Sequence, residues 1–554
     1  MASSDAMTDA SGADLILSGG RIRTMAGDRA VADAIAVAGE RVAAVGSAND
    51  IARWRRPHTR VVELRGRTVT PGFQDAHIHP VFAGLDLMRC PLHAFYRVDE
   101  YLAAIKAYSD AHADETWILG GGWSMGSFEG GYPTRELLDR VTGERPAFFD
   151  NRDGHDAWVN SAALALAGIT RDTPDPGDGR IRRDADGEPT GALHEGAMKL
   201  VTKLLPEASD EENVRALGIA QEHLQMLGIT AWQDAIVGPR EELAYRTVAG
   251  RGGLTARVVA AMWWQRDAGL EQIDELVERR ARGPVGRFSP TSVKLMLDGI
   301  VENGSARLTA PYLGPDGKPT AGAGLDFIEP SRLKEAVTRL DALGFQCHFH
   351  AIGDGAVRLG LDACEAAAAT NGRTDGRHHI SHIQVIHPDD VPRFGRLGVV
   401  ANAQPYWACS SEQMVKLNNS VLGPERTAWQ YPFRSLLRTG ARLAMGSDWA
   451  VSTPNPLEEM DVAIRRIDPH GHDAEPFLPQ EAVTLDEAFA AFTRGSAYVN
   501  HLDETGSLAP GMLADLAVLD RDVHAPSERS LAEARVIATV VGGDFVFEDP
   551  ALEG

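Results

Sequence analysis

Two histidines at a spacing of two, His77 and His79 in the run Pro71-Gly-Phe-Gln-Asp-Ala-His-Ile-His-Pro80, are the first residues here with a chemistry of their own. On an extended strand, residues two apart share a side, so both imidazoles can face one point. That suits a divalent transition metal, most often zinc. Alone, a His-x-His pair is more often an ordinary surface loop, and its meaning depends on what else reaches the same place. Further along stand Lys294, the pair His348 and His350, the pair His379 and His382, and Asp448, each at the end of an apolar run.

The elements that would position them alternate regularly. Strands are expected at 69–75, 229–235, 255–264, 292–297, 345–350, 379–384, 399–404 and 442–446, most of them separated by amphipathic helices. Ser209 with Glu212 forms a capping box that opens the helix running to Leu227. Eight βα units predict an α/β fold, a closed (β/α)8 barrel of the TIM type spanning 69–505. In such a barrel the chemistry gathers at the carboxyl ends of the strands, where all of these polar residues fall. His348 lies two residues deeper than His350 on the same face, so it is expected to support a ligand. His379 points away from His382 and is expected to be structural.

The barrel does not account for the whole chain. Residues 1–12 are small and polar and are expected to be disordered. Short β-like runs at 13–68 and 506–554 are each too small to bury a core alone, so they are expected to pair as one split β-sandwich. Residues 92–204 break the alternation and read as an inserted lid region. Net charge −23 disfavours nucleic acid and anionic membranes, which the protein's field would repel. No apolar stretch reaches the ~18 residues of a membrane span, and the N-terminus lacks the pattern of a signal peptide. Four scattered cysteines fit a reducing compartment, so the expected location is cytoplasmic.

The ordered set PGFQDAHIH, VKLMLDG, HFHAIGD, HHISHIQ and MGSDW resembles the amidohydrolase superfamily of metal-dependent hydrolases. The segment from Gly506 to Asp520 resembles its C-terminal signature. HAIGDGA, GHDAWVNSAAL (154–164) and GALHEGA (191–197) are similar to the branch that includes N-substituted formamide deformylases. The resemblance implies that His77, His79 and Asp448 hold a buried divalent metal, and that His350 and His382 hold a second. It also implies that Lys294 sits where many relatives carry an N-carboxylated lysine between two metals, giving one or two ions per chain, zinc by default. An unmodified Lys294 paired with Asp298 or Glu302 is the alternative.

The expected reaction is hydrolysis of an amide-type C–N bond by metal-activated water, with Asp448 moving the proton. His155 or Asn160 from the insertion would serve as an oxyanion donor. The alternatives are the same site acting on an ester, carbamate or cyclic amide, or an inactive barrel serving as a scaffold. Trp123, Phe128, Trp263, Trp264 and Trp407 suggest an apolar pocket for a small hydrophobic substrate. Glu195, Glu302 and Asn303 join them as expected substrate contacts, and Glu302-Asn303 departs from the Gly-Ser-Arg of many relatives, which predicts an altered specificity. The resemblance also suggests a homo-oligomer, with a dimer as one form.

Overall fold

The computed structural model describes residues 12–27, 31–469, 475–525 and 530–553. The tail expected to be disordered lies outside these residues except for Gly12. Eight parallel strands form the central sheet: β1 (Phe73–Ile78), β2 (Ile229–Val237), β3 (Arg257–Trp263), β4 (Phe288–Met296), β5 (Gln346–Ala351), β6 (His379–His382), β7 (Val400–Ala403) and β8 (Leu443–Met445). Helices Asp210–Met226, Pro239–Gly250, Gln272–Ala281, Pro330–Ala342, Asp354–Asn371 and Val391–Leu397 cover the outside. Outward side chains such as Phe73, Phe288, Cys347 and Phe349 pack with Leu217, Leu340 and Leu361 of those helices into the largest core cluster. No ladder joins β1 to β8. Single bonds close that seam instead, from Asp448 N to His77 O at 2.7 Å, from His79 N to Trp449 O at 2.9 Å and from Ser447 N to the Asp75 carboxylate at 3.0 Å.

The strand expected over Val69–Asp75 divides between two sheets. Thr68–Pro71 pairs with Leu516–Leu519, whereas Phe73 onward pairs with β2. Gly72 is the joint, and it packs so tightly that a Cβ there would lie 2.3 Å from the Thr230 side chain. Only glycine fits that approach. Leu15–Arg23, Val31–Ala38, Arg41–Gly46, Arg60–Glu63 and Thr68–Pro71 share one eight-stranded sheet with Leu516–Leu519, Val536–Val541 and Asp544–Glu548. Leu15, Leu17 and Ile35 from one end of the chain and Leu516, Val518 and Ile537 from the other bury one another.

The insertion has a sheet of its own, six strands in the order Gly179–Arg183, Pro189–Glu195, Asp156–Val159, Ala147–Asn151, Ile118–Trp123 and Cys90–Pro91. Trp123, Trp158, Phe149, Tyr101 and Leu138 fill its core, together with Ile300 and Ile352 from the barrel loops. The insertion, called the lid below for its position alone, is therefore packed onto the barrel's carboxyl rim through apolar contact. Among the described residues no helix is long and apolar enough to cross a membrane.

Candidate metal and active site

The barrel interior beneath the rim is polar. Gln233 Nε2 donates to Gln346 Oε1 at 3.0 Å, and Gln233 Oε1 meets His379 Nε2 at 3.0 Å. Asn402 Nδ2 lies 3.1 Å from His379 Nδ1 and donates to Ala76 O at 2.9 Å. Such a satisfied network in a low-dielectric interior holds its members in single orientations. His348 forms the layer above, its Nε2 lying 2.8 Å from both His77 Nδ1 and Ser381 Oγ. It braces His77 from behind, as a supporting imidazole should, and His379 lies wholly within the floor.

On this floor stand the groups expected at the strand ends. Asp448 Oδ1 is 2.8 Å from His79 Nε2 and 3.1 Å from His77 Nε2. Lys294 Nζ is 3.4 Å from His77 Nε2, and His382 Nδ1 is 3.9 Å from Asp448 Oδ2. The His350 ring sits 4.4 Å from that of His382, centroid to centroid. His77, His382 and Asp448 hold ligand atoms near enough to one another to share one ion. His382 and Asp448 have φ of +74° and +57°, unfavourable for side-chain-bearing residues and characteristic of functional sites. Gly446 makes room for this, since a Cβ there would press within 2.5 Å of His77 N.

Electrostatics prepares these groups as ligands. Burial, then the neighbouring Lys294 and imidazoles, hold His77 and His348 well below the ordinary histidine value, and His350 and His382 behave alike. Neutral imidazoles are the form that binds metal. Burial pushes the Asp448 carboxyl up, but the His79 hydrogen bond and the charges of His382 and Lys294 outweigh it and keep it ionised. Burial drives Lys294 down to about 7. Asp298 is not its partner, because that carboxylate accepts from Ile352 N, Gly353 N and Arg307 N. Glu302 is engaged by Gln413 and Asn418 instead, so neither ion pair of the alternative reading forms. His79 Nδ1 and His382 Nδ1 are buried with no hydrogen-bond partner among the described residues. The unpaired His382 Nδ1, lying beside the Asp448 carboxylate, belongs to a donor set that a divalent cation would complete.

A cavity of about 1330 Å³ opens over this cluster, lined by lid and barrel together. His155 lies in it, its Nδ1 2.8 Å from Glu195 Oε1 and its ring 5.3 Å from that of His350. Burial pulls the His155 pKa down, but Glu195 more than offsets this and carries it up to about 9. Glu195 is fixed in turn by Ser305 Oγ at 2.9 Å and Asn303 Nδ2 at 3.3 Å. Trp407 stacks on the His382 ring at 5.4 Å and 13°. A separate hollow of about 530 Å³ between residues 31–33 and 508–510 holds none of these residues.

Five expected site residues, Asn160, Trp123, Phe128, Trp264 and Asn303, do not line the cavity, Asn303 being engaged instead with Glu195 and Ser305. Asn160 is buried at the start of helix Ser161–Ala167, where its Oδ1 accepts from Ala163 N and Ala147 N and its Nδ2 donates to Arg145 O. Every polar atom of that side chain is used, so it has none to offer a substrate. Trp123 is buried in the lid core with its Nε1 donating to Phe149 O, and Phe128 packs against it. Trp264 is buried among the outer helices, while Trp263, one residue earlier, lines the cavity. Adjacent residues at a strand end face opposite sides, and the sequence did not reveal which tryptophan faced inward. Residues that no motif flagged stand in the cavity wall instead: Asp153, Gln413, Asn418 and Tyr431. Asp153 closes a turn in the lid, and the others lie between β7 and β8, Gln413 and Asn418 on the helical run 412–427 and Tyr431 beyond it, in a stretch without a signature.

A family model described as "Amidohydrolase family" matches residues 60–547. The chain is 32% identical over 552 residues to the protein LONG AFTER FAR-RED 3 of Arabidopsis thaliana, a match covering 97% of this chain and 92% of that one. It is 28% identical over 560 residues to an N-substituted formamide deformylase of Arthrobacter pascens, covering 97% and 98%. The structure of an uncharacterized metal-dependent hydrolase from Pyrococcus horikoshii superposes with a TM-score of 0.73 at 25% identity, over 94% of this chain and 99% of that one.

Proposed function

The chain belongs to the amidohydrolase family, and on that premise we propose that it hydrolyses the C–N bond of a small N-substituted amide carrying an apolar group. The observation that carries this reading is the buried cluster of His77, His79, Lys294, His350, His382 and Asp448 at one end of a single large cavity. His77, His79 and Asp448 would hold one divalent metal, zinc in the first instance, and His350 and His382 a second, with Lys294 between them as amine or carbamate. When bound, such ions acidify water and polarise a carbonyl.

The chain's own groups carry the remaining work. Asp448 is ionised and hydrogen-bonded to His79, so it can accept the proton of the attacking water and return it to the leaving nitrogen. The Glu195-held imidazolium of His155 faces the same space and can donate to the oxygen that becomes negative as the carbonyl turns tetrahedral. Trp263, Trp407 and Met296 line the cavity and can pack the substrate's apolar part away from water.

The test is metal content per chain by elemental analysis, for wild type and Lys294→Ala, with and without bicarbonate, beside a hydrolysis screen of matched amides and esters. About two metals falling with the substitution, and faster turnover of amides, is the expected result. Absence of bound metal would overturn the reading, and faster ester turnover would redirect it. His155→Ala should lower kcat by about 10²-fold. A change confined to KM would remove His155 from the transition state.

A further inference from the structure

The cavity has a second charged end. Glu302 follows β4, and its Oε1 accepts from Gln413 Nε2 at 3.1 Å and from Asn418 Nδ2 at 3.0 Å. Asp153 comes from the lid, and its Oδ2 accepts from the same Gln413 nitrogen at 3.1 Å and from Asn151 Nδ2 at 3.3 Å. One neutral amide thus joins two carboxylates across the lid–barrel boundary, and both line the cavity. Among the described residues neither carboxylate has a cation within salt-bridge distance. The cations nearby are already engaged: His155 with Glu195, Arg266 with Asp178, Lys199 with Asp267, and Arg152 with Tyr96 and the His93 carbonyl.

An independent sign points the same way. Asn418 is 1% exposed and lines the cavity, and its Oδ1 has no hydrogen-bond partner among the described residues. Its orientation is fixed, because flipping the amide would set an oxygen against Glu302. A buried acceptor left unpaired costs about 1–3 kcal/mol, so a donor is called for at this point. Burial, then the neighbouring Glu302, pushes the Asp153 carboxyl up to about 7, the Gln413 hydrogen bond and the His155 charge offsetting only part of this. A bare divalent ion suits the place poorly, since Gln413 and Asn418 aim N–H groups into it, and among the described residues the cluster with metal-ligand spacing lies at His77, His382 and Asp448.

We infer that Glu302, Asp153 and the Asn418 Oδ1 form a subsite for an organic ammonium group, so that the substrate is an amide bearing a protonated amine at the far end of an apolar linker. This rests on the hydrolytic reading for what happens at the metal end, but the subsite itself is a binding claim. Ammonium N–H donors satisfy both carboxylates and the unpaired amide oxygen at once. The wall between the two ends, with Ile300, Ile352, Met296 and Trp263, accommodates the linker. The departure at Glu302 from the pattern of relatives thereby acquires a direction, toward cationic substrates.

The experiment is calorimetric titration of the metal-loaded protein at neutral pH with 3-phenylpropylamine and with its neutral isostere 3-phenylpropan-1-ol. Wild type, Glu302→Gln and Asp153→Asn are compared, with thermal melts to verify folding. The amine should bind wild type about tenfold or more tighter than the alcohol, as a charge-assisted contact requires. That preference should shrink toward unity in either variant while alcohol binding holds. Equal binding of the two probes to wild type overturns the subsite. So does an amine preference that survives both substitutions, which would place the amine at the metals. If amides are hydrolysed without regard to a distal ammonium, this inference fails alone. If the Glu302-dependent preference appears but no amide is turned over, the hydrolytic reading fails and the subsite stands.

Discussion

The two ends of the cavity are built in opposite ways. At the metal end the donors stand at the ends of barrel strands, His77 and His79 sharing β1 and Lys294, His350, His382 and Asp448 coming from four others, their orientation set by backbone pairing and by an imidazole and amide floor beneath them. At the acidic end Asp153, Glu302, Gln413 and Asn418 come from a lid turn, a loop after β4 and the segment between β7 and β8, held to one another only by side-chain amides. Strand-borne groups are precise and interdependent, which suits bond-making. Groups borne outside the barrel strands can be exchanged without disturbing the barrel, which suits choosing a substrate.

That division is open to breaking, beginning with the largest effect. His77→Ala should reduce kcat/KM by more than about 100-fold and lower metal content together with it, since removing even a residue that supports a ligand costs 10–100-fold. A metal-replete variant with near-normal turnover would erase the distinction between the ends. His348→Ala touches only the brace behind His77 and should weaken metal affinity by about 10–100-fold, read by chelator competition. Should affinity hold, the polar floor is a filler and not a support. Asn160→Ala removes a helix cap and a buried contact within the lid, so it should lower unfolding free energy by about 1–2 kcal/mol in denaturant melts. Its kcat/KM per folded molecule should stay at the wild-type level, and a large fall would return Asn160 to the chemistry.

The same contrast explains what could be read in advance. His77, His79, Lys294, His350, His382 and Asp448 were legible because βα alternation fixes where strands end, and strand ends are where such barrels keep their donors. The helix opened by the Ser209 capping box was legible for a similar reason, being a local pattern with a local cause. Trp264 and Trp263 differ by half a strand period, and no pattern in one sequence resolves a phase at a strand's last residue. Asn160 and Trp123 are residue types that serve a cap or a core as readily as a ligand, and the lid's fold decided between them. Gln413 and Asn418 belong to a segment whose shape depends on the lid it touches. Their role came from tertiary contact alone.

The sheet shared by the two ends of the chain also sets an order in time. Thr68–Pro71 leads directly into the first barrel strand, yet its edge partner Leu516–Leu519 emerges from the ribosome only after the whole barrel has been made. The strand Thr68–Pro71 must therefore wait with an unpaired edge while everything between is built, and such edges attract other chains. Arg257 of β3, clasping Asp515 just ahead of that late strand, gives the tail a charged landing point on a barrel already standing. The small sheet is thus a seal applied last, and a chain truncated before Asp515 would leave a finished catalytic barrel with an open, adhesive beginning.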